Sequence, residues 1–495
     1  MNRIFFLTLL VLLASLRMMS AGWHDVPLQS QITHVQPMTG LVLWEDLAHR
    51  LYTTYGQSHA MEFAYLPPCR VVTGCDDDGT VHYDWSYLET LLDDIKGRSH
   101  QAVLRFFYEY PGETMVDGYE GTTAVPAYIK ARSDYHETFS HTGDGACYYA
   151  DWSNAELKRF TKQFYADFAA RYASDPRIAF IEVGFGHWSE YHIYDGGNTN
   201  IQLGKNFPTK EYQKEFFLHL ASVMPIPWAI SIDAASTKYA PFRSDAELRA
   251  LRFGLFDDSF MHQNHELSSG DGYNEQCWLN MGFEEHWQTG VCGGEVSYYT
   301  KNDQPGFTNP AGMYGHTWEE QAAKYHITFM IANNNPGGKN DYNNPSRFKE
   351  CSMASGYHFE VTRCQTDGVQ TCLTVTNKGV APLYRDAYFA IGMVRSGESL
   401  RGLLPGESLE VTIPASLSSA ADGTLLHKPV IVSDYILDTQ QIEYDCRLTT
   451  TSVSSLSVPA SSSLSSRSSY NLRGQSVPRS TRGIVIIRGC KFVNK

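Results

Sequence analysis

The chain is 495 residues long and carries 40 Lys and Arg against 54 Asp and Glu, a formal net charge of −14. An acidic chain with no basic cluster ahead of its tail excludes nucleic acid and anionic membranes as main partners and suits a neutral or cationic one. Its length allows two or three domains and a large core.

Residues 1–21 open on Met1-Asn2-Arg3 and run into IFFLTLLVLLASL. A basic start and an apolar core too short to span a bilayer, with no stop-transfer flank, predict a secretory signal peptide cut near Ala21. No other long apolar run predicts a transmembrane segment. Ten cysteines in an exported chain suggest disulfides, and Cys69/Cys75, Cys277/Cys292 and Cys364/Cys372 are separated as hairpins or loops could close them. Neither CxxC nor HxxxH spacing occurs, so no metal and no cofactor are expected. Asp76-Asp77-Asp78-Gly79 lacks the later ligands of a calcium loop and reads as a turn.

From residue 22 to 346, short β-rich runs alternate with amphipathic helices. The predicted strands are 40–45, 61–66, 101–110, 178–184, 228–233, 252–258, 290–296 and 326–333. Helices are predicted over 83–98, 153–173 (with Ser153 as N-cap) and 209–224. Eight such units predict a (β/α)8 TIM barrel, an α/β fold. Over 347–448 the pattern changes to short alternating strands, with turns at Thr366-Asp367-Gly368 and Leu404-Pro405-Gly406, which predicts a small antiparallel β-sandwich. Residues 449–469 are Ser-rich and predict a flexible linker. Residues 470–495 form a short C-terminal tail, read as a β-hairpin.

Functional groups of such a barrel stand at the carboxyl ends of its strands, and here they are acidic and aromatic. Glu190, in IAFIEVGFGHWSEYH, follows the fourth strand, and Glu295, in TGVCGGEVSYY, the seventh. Cleaving a glycosidic bond needs a proton donor and a second carboxylate; the pair resembles in placement the clan of retaining barrel glycosidases, whose acid follows strand four and nucleophile strand seven, which implies Glu190 as acid/base and Glu295 as nucleophile. Either could instead be a salt-bridge or helix-start residue. Arg105, Glu109, Trp188, Asp258, His262, Tyr298 and Asn333 are the candidate substrate-binding residues. Glycines 184, 186, 293 and 294 would let backbone approach a sugar, and Trp188, Tyr191, Tyr194, Tyr298 and Tyr299 would stack on one. Glu182 lies inside its strand, where alternation turns it inward to pair with Arg105.

Two resemblances extend this reading. The Arg-bearing third strand, GFGHWSEYH, FDDSF, GGEVSYY and VTNKGVAPLY together resemble a family of secreted bacterial proteins of unknown function that join a glycosidase-like barrel to a β-sandwich. Ser189 departs from that family's usual glycine. YNLRGQ, leading to GIVIIRGCK, resembles the type nine secretion sorting tails of Bacteroidetes-type bacteria, although Cys490 replaces a usual lysine. The resemblances imply a secreted or surface protein that engages secretion machinery through its tail. The function expected is a glycoside hydrolase acting on a polysaccharide or oligosaccharide through two carboxylates, retaining configuration; the alternative is a noncatalytic surface glycan-binding protein using the same cleft.

Overall fold

The computed structural model describes residues 22–449, apart from 113–114, 117–118, 121–122, 143–144, 193–200, 269, 333–341, 343 and 419–424, together with short strands between 469 and 494. Residues up to Thr449 form one compact unit and the rest a second.

Eight parallel strands close into a barrel: β1 (Gly40–Trp44), β2 (Met61–Leu66), β3 (Gln101–Phe106), β4 (Ile178–Val183), β5 (Trp228–Ser231), β6 (Gly254–Phe260), β7 (Cys292–Val296) and β8 (Phe329–Ile331), with β8 returning to β1. They read as near-continuous apolar runs because both faces are covered, one by the barrel interior and the other by helices. Phe63, Val103, Phe180, Phe256 and Phe329 belong to the inner core, while Leu41, Leu43, Leu104 and Ile181 meet the helix layer.

The helices that matter to the site begin with α1 (Glu45–Tyr55), α2 (Ser86–Gly97) and α3 (Ala155–Tyr172). On α3, Leu157, Phe160, Phe164, Phe168 and Tyr172 form one buried stripe, each side chain contributing about 1.5–3 kcal/mol on burial. Its cap differs from the expected Ser153. Asn154 accepts from the Leu157 N–H at 3.0 Å, and Ser153 turns its hydroxyl to Asp151 instead. Further along, α4 (Lys210–Val223) is capped by Thr209, α5 (Tyr273–Asn280) follows β6, and α6 (Trp318–Lys324) opens on a Thr317/Glu320 capping box. The last, α7 (Pro345–Met353), spans the boundary expected at 347 and packs on β1, where Ser352 Oγ accepts from the Leu41 N–H.

Beyond α7 the chain is antiparallel β. Strands β9 (Phe359–Thr366), β10 (Thr371–Asn377) and, after β11 (Tyr388–Ile391), β12 (Ser408–Ile413) make one sheet, whose outer edge is His24–Asp25 from the other end of the chain. β11 pairs with β13 (Val430–Val432), and Leu28–Ser30 pairs with β14 (Cys446–Leu448). The chain is thus woven into the sandwich before it enters the barrel. One core cluster joins Met61, Phe180 and Phe329 of the barrel to Tyr357, Phe359 and Phe389 of the sandwich. Tyr384 is buried and donates to the Trp287 carbonyl at 2.6 Å, and Gln101, the first residue of β3, donates to the Tyr435 carbonyl. The sandwich therefore plugs the amino-terminal end of the barrel and leaves the carboxyl ends of the strands as its mouth.

None of the pairs Cys69/Cys75, Cys277/Cys292 and Cys364/Cys372 is joined by a disulfide, a correction to the expected pairings. For Cys364 and Cys372 the reason is register: Cys364 faces Leu373 across the ladder and Cys372 faces Gln365, so the two thiols project from opposite faces of the pleat. Cys277 and Cys292 are buried as small apolar groups in the helix layer.

The carboxy-terminal unit has four short strands, Ser469–Tyr470, Ser476–Val477, Gly483–Ile487 and Cys490–Asn494, the last two forming the expected hairpin. Most of the expected linker, and residues 1–21, lie outside the described residues. No described helix is long and apolar enough to cross a membrane.

Candidate active site

Alternation along β3 turns Arg105 into the barrel, where it is 1 % exposed and lies over the rings of Phe256 and Phe63 at 4.6 and 5.1 Å. Its register partner on β4 is Glu182, fully buried, which accepts from Arg105 Nε at 2.7 Å. The remaining arm of the guanidinium reaches upward to the Glu190 carboxyl, to Tyr65 Oη at 3.3 Å and to the Trp188 carbonyl at 3.4 Å. One cation thus forms the floor of a pit and serves two carboxyls.

Glu190 is brought there by a strained loop. Trp188, Ser189 and Tyr191 all have positive φ, of 51°, 63° and 66°, each costing on the order of 1–3 kcal/mol in a non-glycine residue. Gly184 makes the turn possible, since a Cβ there would stand 2.0 Å from the Ser189 carbonyl oxygen. The same holds across the barrel, where a Cβ on Gly294 would stand 2.0 Å from the Asp257 carbonyl oxygen and one on Gly293 2.5 Å from that of Phe329. These glycines admit neighbouring backbone, not a sugar as expected.

Opposite this loop, Glu295 near the end of β7 accepts from Tyr298 Oη at 2.7 Å and from Trp44 Nε1, at the end of β1, at 3.3 Å. Between the two glutamates, His192 bonds Asp233 and stands 3.3 Å from Asp258. Tyr273 donates to the other oxygen of Asp233 at 2.8 Å. The adjacent Asp257 points away, held by His265, Asn274, Trp278 and the Ser259 N–H. Of the FDD pair, Asp258 is therefore the one in the pit.

Arg105 and His192 are the cations here, against the carboxyls of Glu182, Glu190, Asp233, Asp258 and Glu295; fully ionised, the pit would carry 2 − 5 = −3 charges. Protons relieve that imbalance. Burial pushes the Glu190 carboxyl well above its usual range, Asp258 and Glu295 adding to this against the pull of Arg105. Burial likewise raises Glu295 to about 7 and Asp258 to about 6. Burial pulls His192 down, but Asp258 and Asp233 outweigh it and hold the imidazolium well above the ordinary histidine value. The pit holds proton donors and acceptors poised near neutrality, as acid–base chemistry requires.

Five of the sequence-predicted residues meet at this pit through their side chains: Glu190, Glu295, Arg105, Asp258 and Tyr298. Trp188 joins through its carbonyl. Glu109 does not, a correction: it is 1 % exposed, accepts from the Ala150 N–H at 3.1 Å, and burial raises it to about 8. The return of residues 145–149 behind β3 covers it. His262 pairs with Asn274 at 2.8 Å and lies tilted against the Tyr299 ring, beside the pit and not in it. Asn333 and Tyr194 lie outside the described residues. Tyr191 is fully buried against Phe185 and Phe207 and offers no stacking face, whereas Tyr298 and Tyr299 are exposed. His192, Tyr65 and Tyr273 were not singled out from the sequence as site residues. Tyr65 could have been, since it is the penultimate residue of MEFAYL on β2.

Ligand atoms of Glu190, His192 and Asp258 lie within 4.8 Å of one another, a spacing that a divalent cation could use. His192 disfavours such a guest, because its Nε2 is already bonded to Asp233.

No protein-family model matches the chain, and no curated protein does. Solved structures that resemble it include a family 39 glycoside hydrolase from the gut symbiont Bacteroides cellulosilyticus WH2 (TM-score 0.38, 8 % identity, covering 83 % of this chain and 81 % of that one). Others are a GH27 β-L-arabinopyranosidase from Geobacillus stearothermophilus (0.31, 11 %, 80 % and 98 %) and a glucosidase from Croceicoccus marinus (0.30, 6 %, 82 % and 85 %). These superpositions are loose, so the functional argument rests on the pit.

Proposed function

We propose that this chain is a glycoside hydrolase acting on a polysaccharide or oligosaccharide, with Glu190 as acid/base and Glu295 as nucleophile. The observation that carries the reading is that a glutamate after β4 and one on β7, both with raised pKa, converge on one acidic pit at the barrel mouth. Glu190, whose carboxyl burial holds well above its usual range, donates to the leaving oxygen, and Arg105 then stabilises the carboxylate left behind. Glu295, oriented by Tyr298 and Trp44, attacks the anomeric carbon; water, deprotonated by Glu190, releases the sugar. The surplus of carboxyls favours the positive charge that develops on the sugar ring. Retention requires the two carboxyls to work about 5–5.5 Å apart. The signal-like start and sorting-like tail make export part of the reading, with secretion machinery as the tail's partner.

The test is a screen of the purified protein on plant, algal and host polysaccharides, reading reducing ends, with the anomer of the first product followed by NMR. Glu190→Gln and Glu295→Gln should each remove the signal. A second reading, a noncatalytic glycan binder, is favoured by one observation: Glu190 is only 6 % exposed and already paired with Arg105. Glycan binding without product release by the wild type would select it.

A further inference from the structure

At the opposite end of the barrel, independent of the reading above, His59, Glu62 and His100 meet in a buried cluster that the pit chemistry does not use. Their ligand atoms lie within 4.8 Å of one another, and the three residues are 3 %, 0 % and 2 % exposed. His59 precedes β2, Glu62 is its second residue, and His100 precedes β3, so the closed barrel fixes their spacing.

Hydrogen-bond accounting makes this trio more than a salt bridge. His59 Nδ1 faces the Tyr55 carbonyl at 2.9 Å and His100 Nε2 the Gly56 carbonyl at 2.9 Å. A carbonyl only accepts, so these nitrogens carry the protons. A neutral His59 ring then keeps its lone pair on Nε2, whereas His100 Nδ1 and Glu62 share a proton. His100 Nδ1 stands 2.6 Å from Glu62 Oε1, while His59 Nε2 is buried with no hydrogen-bond partner. An orphaned lone pair costs about 1–3 kcal/mol and calls for a donor or a metal. Ligating histidines commonly donate their far N–H to a backbone carbonyl and ligating carboxylates are themselves hydrogen-bonded. Here both far nitrogens are held by carbonyls at the end of α1, and Arg98 donates to both Glu62 oxygens at 2.8 and 2.6 Å. Arg98 is itself bonded to Asp94 at 2.6 Å, which offsets its charge. His59 and His100 also line a cavity of about 280 Å³, walled by Gln57, Gln440 and Glu443, that has room for a water as fourth ligand.

We propose that His59, Glu62 and His100 bind a divalent transition metal of the zinc type, fastening the plugged end of the barrel where it meets the sandwich. Two imidazoles and a carboxylate suit zinc, cobalt or nickel better than calcium or magnesium. Metal entry displaces the proton shared by His100 Nδ1 and Glu62, which leaves to solvent.

The experiment is metal analysis of the full chain after loading with Zn²⁺ and dialysis, together with the visible absorption of the Co²⁺-loaded protein. About one metal per chain and a cobalt d–d band are expected, and His59→Ala and His100→Ala should each reduce occupancy about tenfold or more. His192→Ala should leave it intact, which separates this cluster from the carboxyls at the mouth. Should His59→Ala fail to fold, the cobalt band of the wild type and its loss in His59→Gln decide. A wild type that takes up neither metal overturns the proposal and leaves His100 as a doubly protonated bridge with water on His59. So does metal that persists without His59.

Discussion

Replacing Arg105 by methionine keeps an unbranched stem and removes the one described cation that touches Glu182. Glu182 is fully buried and Glu190 nearly so, so neither carboxyl gains water when the guanidinium leaves. Two charge-assisted hydrogen bonds, Nε to Glu182 and the upper arm to Glu190, are lost. At about 1.5–3 kcal/mol each they give about 3–6 kcal/mol, in line with about 3–5 kcal/mol for removing one partner of a buried pair. The penalty depends on pH. Burial already raises Glu182, and Arg105 is what pulls it back; without Arg105 the folded-state pKa of Glu182 climbs further. A carboxyl raised in the folded state costs nothing below its unfolded value near 4.5 and destabilises progressively as pH rises through the folded value. Arg105→Met should therefore cost less at pH 5 than at pH 8. Urea unfolding at both pH values measures this. Arg105→Met/Glu182→Met should recover most of the loss, because apolar replacement of a buried pair is often neutral. A loss under about 1 kcal/mol, or one equal at both pH values, would refute the account of the floor.

Glu190→Gln and Glu295→Gln should each lower kcat/KM by about 10²–10⁴-fold on any substrate found, with unchanged circular dichroism; a loss under tenfold would remove that residue from the chemistry. Because burial raises Glu295 to about 7 and the nucleophile must be ionised, activity should fall as pH drops below about 7. The Tyr298 hydroxyl lowers that value, so Tyr298→Phe should move the acid limb upward, and a limb that stays put would deny Glu295 its role. Asn154→Ala should cost about 1 kcal/mol of stability as the true cap of α3, and more than Ser153→Ala, in thermal unfolding.

The barrel is legible in the sequence because each strand is buried on both faces and flanked by helices of a different period, so length and composition alone separate them. The Arg105–Glu182 pair is legible for a related reason, since period-2 alternation turns both inward at adjacent heights. Glu190 and Glu295 are found by position after their strands. What escaped depends on loop geometry: three positive φ values between Trp188 and Tyr191 put Glu190 and His192 into the pit and Tyr191 into the core, and no period describes that. Glu109 was misplaced because the segment covering it arrives some forty residues later. The edge pairings of residues 24–30 with β9 and β14 cross the whole unit, and local pattern carries no information on such partners.

The strain of that loop and the charge of the pit belong to one argument. Three left-handed residues persist only where their surroundings over-determine them, and here those surroundings are the Gly184 contact, the Arg105 bond to the Trp188 carbonyl and the Ser189 hydroxyl donating to Phe106. Relaxing the loop would carry Glu190 away from Arg105 and into water, where its carboxyl would titrate as an ordinary glutamate. Held in place, it shares its cation with Glu182 and faces Asp258 and Glu295, and burial keeps its carboxyl well above the usual range. The backbone strain is thus what maintains a carboxyl of raised pKa in the pit, and a proton donor of that kind is one of the two groups that cleavage of a glycosidic bond demands.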